Sequence, residues 1–369
     1  MPPIHSSCRL LISLLVFFTV ACDSGKSPSG ESENTDLLSQ RAAFSILPVM
    51  GARPLGDSIE FDVEKVDTAI VFDSVIAWVD GKRIGEMPDT KHLFIWESNK
   101  SAPGTHIFRI TGYKKGQEES SSSQTFYICS PKKPEAYRFE IVKTLPHNPE
   151  SFVQGLEWLN GKLYEGTGLN GKSSVMNVDP QTGQSLVQQK LDQTYFGEGI
   201  TILDNKLYQL TWQNRKGFVY SLPDLKLLKE FGYTTDGWGL THFDGKLAMT
   251  DGSNQVYFLD PVTFQRTGRL EVWDNHNAVG ELNELEYVNG SIFANKYQTD
   301  TIVEIDPKSG IVKAYIDLTG LLKDSDRLGN EDVLNGIAYH PQEKLYYVTG
   351  KNWPKMFAIR LIPVAKSGI

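Results

Sequence analysis

QGLEWLNGKLYEG from Gln154, EGITILDNKLYQL from Glu198, WGLTHFDGKLAMT from Trp238, NELEYVNGSIFAN from Asn283 and NGIAYHPQEKLYY from Asn335 are five versions of one pattern. They start 44, 40, 45 and 52 residues apart, a period that belongs to repeated supersecondary units. Each opens with a strand-like run, reaches a turn and returns through a second run. The turn pairs Asn160-Gly161, Asp204-Asn205, Asp244-Gly245 and Asn289-Gly290 tolerate the positive φ that a two-residue hairpin demands, and the fifth repeat has a longer turn at His340-Pro341. Further strand-like runs follow each hairpin. In the first repeat these are SSVMNVD and SLVQQKL, either side of Pro180-Gln181-Thr182-Gly183, which makes four strands per unit. Four-stranded antiparallel units repeated around an axis predict a five-bladed β-propeller.

Such a ring must close. YRFEIVKTL, Tyr137 to Leu145, stands before the first repeat with no hairpin partner, while the last repeat runs out after MFAIRLI. Pairing these two runs would complete the last blade and remove an exposed sheet edge. The competing arrangement is an open sandwich of irregular hairpins.

The chain of 369 residues has room for two or three domains, with 40% hydrophobic and 22% charged residues. That composition excludes disordered, collagen-like and multi-helix membrane classes. The 45 acids and 37 bases give a net charge of −8 with no long single-sign run, so no nucleic-acid surface is expected. Residues 43–131 read as a small all-β module of their own. SIEFDV places Ile59, Phe61 and Val63 on one face, HIFRI does so for Phe108 and Ile110, and AWVDGKRIG carries a hairpin pair at Asp80-Gly81. An immunoglobulin-like sandwich is the expectation. Its acids are scattered and its His92 and His106 have no partner at ligand spacing, so a spacer or interaction role is expected. The stretch Pro131-Lys132-Lys133-Pro134 marks the boundary with a propeller domain over 135–369.

The N-terminus reads as an export signal over 1–21. Arg9 precedes a 12-residue apolar run, LLISLLVFFTVA, too short to span a bilayer as a helix. It ends at Thr19-Val20-Ala21-Cys22, which resembles a bacterial lipoprotein signal and makes Cys22 the expected lipidated residue. Residues 22–42 then form a polar tether. The chain would be exported and lipid-anchored in a bacterial cell envelope, periplasmic or surface-facing. With Cys8 removed and Cys22 acylated, only Cys129 remains, so no disulfide is possible within the mature chain and a buried, inert thiol is expected there.

In a propeller the residue before each innermost strand lies on the rim of one face. Those positions are Gln154, Glu198, Trp238, Asn283 and Asn335. The second strand of each hairpin returns to the same face fourteen residues later, at Gly168, Trp212, Gly252 and Tyr297. In the fifth repeat, reading the turn as one residue longer puts the equivalent position at Gly350, so that Lys351 reaches the rim only through a bulge or loop. One mouth would thus collect one carboxylate, one amine, three carboxamides, two indoles and a phenol. Each has a blander reading, since polar residues before Gly serve turns and edge tryptophans pack against neighbours. The seven histidines form no metal-binding pair, Glu198 is the only acid in the two rings, and no G-x-S-x-G elbow is present. General acid/base work by Glu198 on an amide remains, and no cofactor or metal is expected.

SFVQGLEW, YEGTGL, FGEGIT, LYQLTW, GWGLT, NELEYVNG, LNGIAYHP and VTGKNWPKMF, spread over about 135–363, resemble the glutamine cyclotransferase family of plant-type glutaminyl-peptide cyclotransferases. The resemblance implies a five-bladed propeller that converts the N-terminal glutamine of a peptide or protein to pyroglutamate with release of ammonia and without a metal. Matched motif by motif, the family's catalytic residues fall on Glu198, Asn283 and Lys351. Its binding residues fall on Gln154, Trp212 and Trp238. Where the family shows ANVWQTD this chain reads ANKYQTD, so Tyr297 replaces a tryptophan. Asn335 joins the substrate-binding set from its rim position alone.

The residue types suit this chemistry independently. The α-amine and the amide carbon it attacks lie in one substrate, so the enzyme must fold the side chain, move a proton and hold an oxyanion. Glu198 would shuttle the proton, Lys351 and Asn283 would hold the amide oxygen, and the aromatic residues would wall the aliphatic part. The alternative is a propeller lipoprotein that binds a ligand or partner at the same mouth without turnover. Nothing in the pattern asks for a second copy, and a monomer is the simple expectation.

Overall fold

The computed structural model describes residues 42–365. The expected signal, tether and Cys22 lie outside them. Among the described residues the fold is all-β, its only helical pieces being the short 3-10 turns Ser98–Lys100 and Asp324–Asp326.

The strands from Phe44–Ile46 to Gln117–Cys129 form two sheets, one of three strands and one of five. Apolar residues alternate inward from both. Ile59, Phe61 and Val63 from one sheet meet Phe108, Ile110, Phe126 and Ile128 from the other, all essentially excluded from solvent. Phe61 and Phe108 stack with ring centroids 4.1 Å apart. Asp80 and Gly81 both take positive φ, at 49° and 74°, which matches the twist of the flanking strands. This region docks on the repeats through Glu271 Oε2. That oxygen accepts from Thr105 N and Oγ1 at 3.0 and 2.9 Å. The Cys129 thiol is buried against Asn275 O at 3.4 Å, and burial pushes its pKa up.

The five repeats build the rest. The first three each form a four-stranded antiparallel sheet. The last two share one eight-stranded sheet. Glu135–Pro146, the orphan run of the sequence, pairs antiparallel with Lys355–Pro363, for instance Thr144 with Phe357, and its first residues also run parallel to Val312–Asp317. The sequence pattern gives no sign of that second contact. Five apolar clusters fill the spaces between consecutive repeats, and the one built from Leu156, Leu163, Tyr347 and Ala358 joins the fifth repeat to the first. The inner strands Val153–Leu159, Gly197–Leu203, Leu240–Phe243, Leu282–Val288 and Leu334–His340 touch in sequence, and the last touches the first. The arrangement is propeller-like, with both chain ends stitched into one sheet.

The inner strands approach so closely that several of their first residues must be glycine. A Cβ on Gly199 would stand 2.5 Å from Leu240 N, and one on Gly239 would collide with Asn283 O. Each inner strand also lacks a strand neighbour on its channel side, so its free N–H groups need other acceptors. Buried carboxylates supply several. Glu284 reaches across to accept from Leu156 N and Ile337 N at 3.1 and 2.9 Å, Glu157 accepts from Ile202 N at 2.8 Å, and Glu286 from Tyr339 N at 2.9 Å.

Candidate active site

The side chains at the mouth are aimed by a repeated backbone irregularity. In the first repeat Val153 pairs with Thr167 but Gly155 with Gly166, leaving Gln154 as an extra residue. The same slip falls between Gly197 and Ile200, between Leu282 and Leu285, and between Leu334 and Ile337. The bulged segments therefore hold Glu198, Asn283 and Asn335. A bulge turns a side chain out of the regular in-and-out alternation. Trp238 occupies the corresponding place before Leu240, where Trp238 N donates to Thr250 O and Gly199 N to Trp238 O.

This register corrects the expected place of Lys351. The inner hairpins of the first, second and fourth repeats close with two residues between the paired positions, for example Leu203 with Lys206, whereas His340 pairs with Leu345. The fifth turn is thus two residues longer rather than one. Gly350 pairs with Leu334 as Thr211 does with Gly197, and Lys351 is the direct counterpart of Gly168, Trp212 and Tyr297. No added bulge after Gly350 is required.

A broken circle of rings surrounds the mouth. Trp212, the most open at 37% exposure, meets Phe196 edge-on at 5.7 Å, and Phe196 meets Phe152 at 6.1 Å. Lys351 Nζ lies 4.9 Å from the Phe152 centroid and 5.1 Å from that of Tyr297, which meets Trp238 edge-on at 5.4 Å. Sequence reasoning missed Phe152 and Phe196. The signal was available, since each stands two residues before a rim residue, in SFVQ and YFGE.

Inside the circle lie buried polar groups with unused bonding capacity. Glu198 is 4% exposed, and among the described residues its carboxylate accepts no hydrogen bond. Burial pushes its pKa well above the usual carboxylate value, against the opposing pull of Lys351. Lys351 is equally buried. Loss of hydration lowers its pKa, opposed by Glu198 and Asp332, and its ammonium forms no direct ion pair among the described residues. Among the described residues the Oδ1 atoms of Asn283 and Asn335 are buried without a partner. Asn335 Nδ2, by contrast, is committed: it donates to Val153 O at 3.0 Å and Gln154 Oε1 at 2.9 Å. Asn335 thus ties the last inner strand to the first and orients Gln154. Buried polar groups are normally paired, so a carboxylate and an ammonium that influence each other while neither has a partner among the described residues mark a place prepared for another molecule.

The glutamine cyclotransferase family model matches residues 112–361. The chain belongs to the glutamine cyclotransferase family. The match starts at Gly112, inside the strand Gly104–Lys114, and so reaches further into the front region than the motifs at 135–363 suggested. A glutaminyl-peptide cyclotransferase of Arabidopsis thaliana is 45% identical over 237 residues, covering 62% of this chain and 73% of that protein. The crystal structure of Myxococcus xanthus glutaminyl cyclase superposes with a TM-score of 0.60 at 32% identity, over 63% of this chain and 100% of that one. For a family member, the residues of this mouth that need explaining are those that lack protein partners.

Proposed function

We propose that the chain is a glutaminyl-peptide cyclotransferase acting at the mouth of a five-bladed propeller over 135–369, with an immunoglobulin-like module over 43–131. The observation that carries this reading is the Glu198 carboxylate, buried, without a hydrogen bond and facing Lys351 within one ring of aromatic side chains. The substrate is a peptide or protein with N-terminal glutamine.

Glu198 takes a proton from the attacking α-amine as the new C–N bond forms. It returns that proton to the departing nitrogen as the old C–N bond breaks and ammonia leaves. A carboxylate with a raised pKa suits both halves, because a shuttle works best when its pKa lies near the working pH. The oxygen of the tetrahedral intermediate is held by the Lys351 ammonium and the Asn283 amide, fixed before the reaction begins. Gln154, whose Oε1 is taken up by Asn335, has its Nε2 left to orient the substrate amide. Trp212, Trp238 and Tyr297 wall the aliphatic part, and an incoming ammonium gains from their faces. Tyr297, smaller than the indole it replaces in the family motif, alters the slot rather than the chemistry.

The test is ammonia release from a Gln-initiated peptide, with the corresponding Asn-initiated peptide as control and a chelator arm. Turnover of the first alone supports the enzyme, whereas saturable binding without ammonia supports a binding module instead. We also propose that Cys22 carries lipid and holds the protein at a bacterial envelope membrane. Cys22→Ser should release the protein to the soluble fraction, and full membrane retention would contradict the anchor.

A further inference from the structure

One buried titratable pair takes no part in the chemistry above. His147 follows Pro146 at the end of the ring-closing strand, and Glu165 sits in Lys162–Thr167; both side chains are 1% exposed. His147 Nδ1 lies 2.7 Å from Trp353 O, and Nε2 lies 3.1 Å from Glu165 Oε2. A carbonyl can only accept, so Nδ1 must donate. A carboxylate accepts as well, so the ring donates from both nitrogens. Among the described residues Glu165 Oε1 is buried with no partner, and His147 is the side chain bonded to that carboxyl group. Burial alone would lower the imidazole pKa, but Glu165 and the Trp353 carbonyl outweigh it and the net direction is upward.

The pair is bonded to the turn that contains Lys351. The turn from Gly350 to Pro354 is closed by Trp353 N donating to Gly350 O at 3.1 Å, and Asn352 within it takes a positive φ of 59°. His147 grips this turn twice, through its ring at Trp353 O and through its own N–H at Pro354 O, 3.0 Å away. Asn352 N and Nδ2 tie the same turn to Ser151 O and Pro149 O at 2.8 and 2.9 Å. The segment from 147 to 154 also carries Phe152 and Gln154. Among the described residues the Lys351 ammonium has no ion-pair partner; its backbone is tied to Val333 O and Asp332 N at 2.9 Å each, and the course of its side chain past the rings of Phe152 and Tyr297 is set by these bonds together with the turn that follows.

We propose that His147 is a positioning residue: a doubly donating imidazolium, held by Glu165, that fixes the Gly350 to Pro354 turn and through it the Lys351 ammonium over the substrate. This rests on the cyclotransferase reading. Because Lys351 acts on the developing oxyanion, its displacement lowers kcat and leaves KM nearly unchanged.

The experiment uses the full chain. His147→Phe removes both donors and should lower kcat for ammonia release by about 10- to 100-fold, with KM within about twofold, at a temperature where circular dichroism shows it folded. Glu165→Gln still lets Nδ1–H reach Trp353 and should lose clearly less. A folded His147→Phe protein with wild-type kcat, or one in which only KM moves, would overturn the proposal. Should that variant not fold, the wild-type chain labelled with 15N-histidine decides: the His147 ring should carry protons on both nitrogens at pH 7, and a bare Nδ1 or Nε2 would overturn it. Absence of turnover by the wild-type chain would count against the cyclotransferase reading and leaves the nitrogen measurement able to judge the clamp.

Discussion

Glu198 and Glu284 are both buried carboxylates at bulged starts of inner strands, and burial raises the pKa of both. They differ in what they touch. Glu284 accepts two backbone N–H groups from two other repeats and holds the ring together, while Glu198 accepts none among the described residues and feels the charge of Lys351. Burial and a perturbed pKa are therefore common to an acid that holds the ring and to the proposed proton shuttle, and unused bonding capacity tells them apart.

Several substitutions would break or sharpen that contrast. Glu198→Gln should lower kcat by about 10²- to 10⁴-fold, the usual cost of losing a general acid/base, while its melting temperature stays equal or rises because an unpaired buried acid has been neutralised. Lys351→Met should cost about 10²- to 10³-fold in kcat with a smaller change in KM, as expected for an oxyanion contact. Glu284→Gln should do the opposite. It places an N–H donor against one of the two backbone donors and should destabilise by about 1–3 kcal/mol in denaturant titration, with little change in the rate of the folded fraction. A further effect belongs to pH. Burial pushes Glu157 up from 4.5 to about 8, so its contribution to stability is full below about pH 4.5 and is lost as pH rises through about 8. The melting temperature should fall across that window, and Glu157→Gln should flatten the slope.

Much of the fold could be read from local chemistry. Asn160-Gly161, Asp204-Asn205, Asp244-Gly245 and Asn289-Gly290 all adopt the left-handed φ values that their residue types invite, so the hairpins were visible in the sequence. The position of Glu198 at the start of an inner strand was legible because its repeat partners could be counted from the same glycines. What the sequence concealed depends on contacts across the ring. Glu157, Glu284 and Glu286 look like ordinary strand residues until their acceptor role toward neighbouring inner strands is seen. The bulges are equally silent, since a slip of one residue is defined only against a paired strand. The place of Lys351 is hidden for a related reason: the turn between His340 and Leu345 holds two extra residues, and nothing in HPQEKL shows where the strand pairing resumes.

The ratio of the ammonia-release rates of Glu198→Gln and Glu284→Gln, measured side by side on a Gln-initiated peptide where both proteins are folded, tests the account most directly. If the unpartnered acid is the proton shuttle, the first should be slower than the second by about 100-fold or more. Equal rates would contradict it.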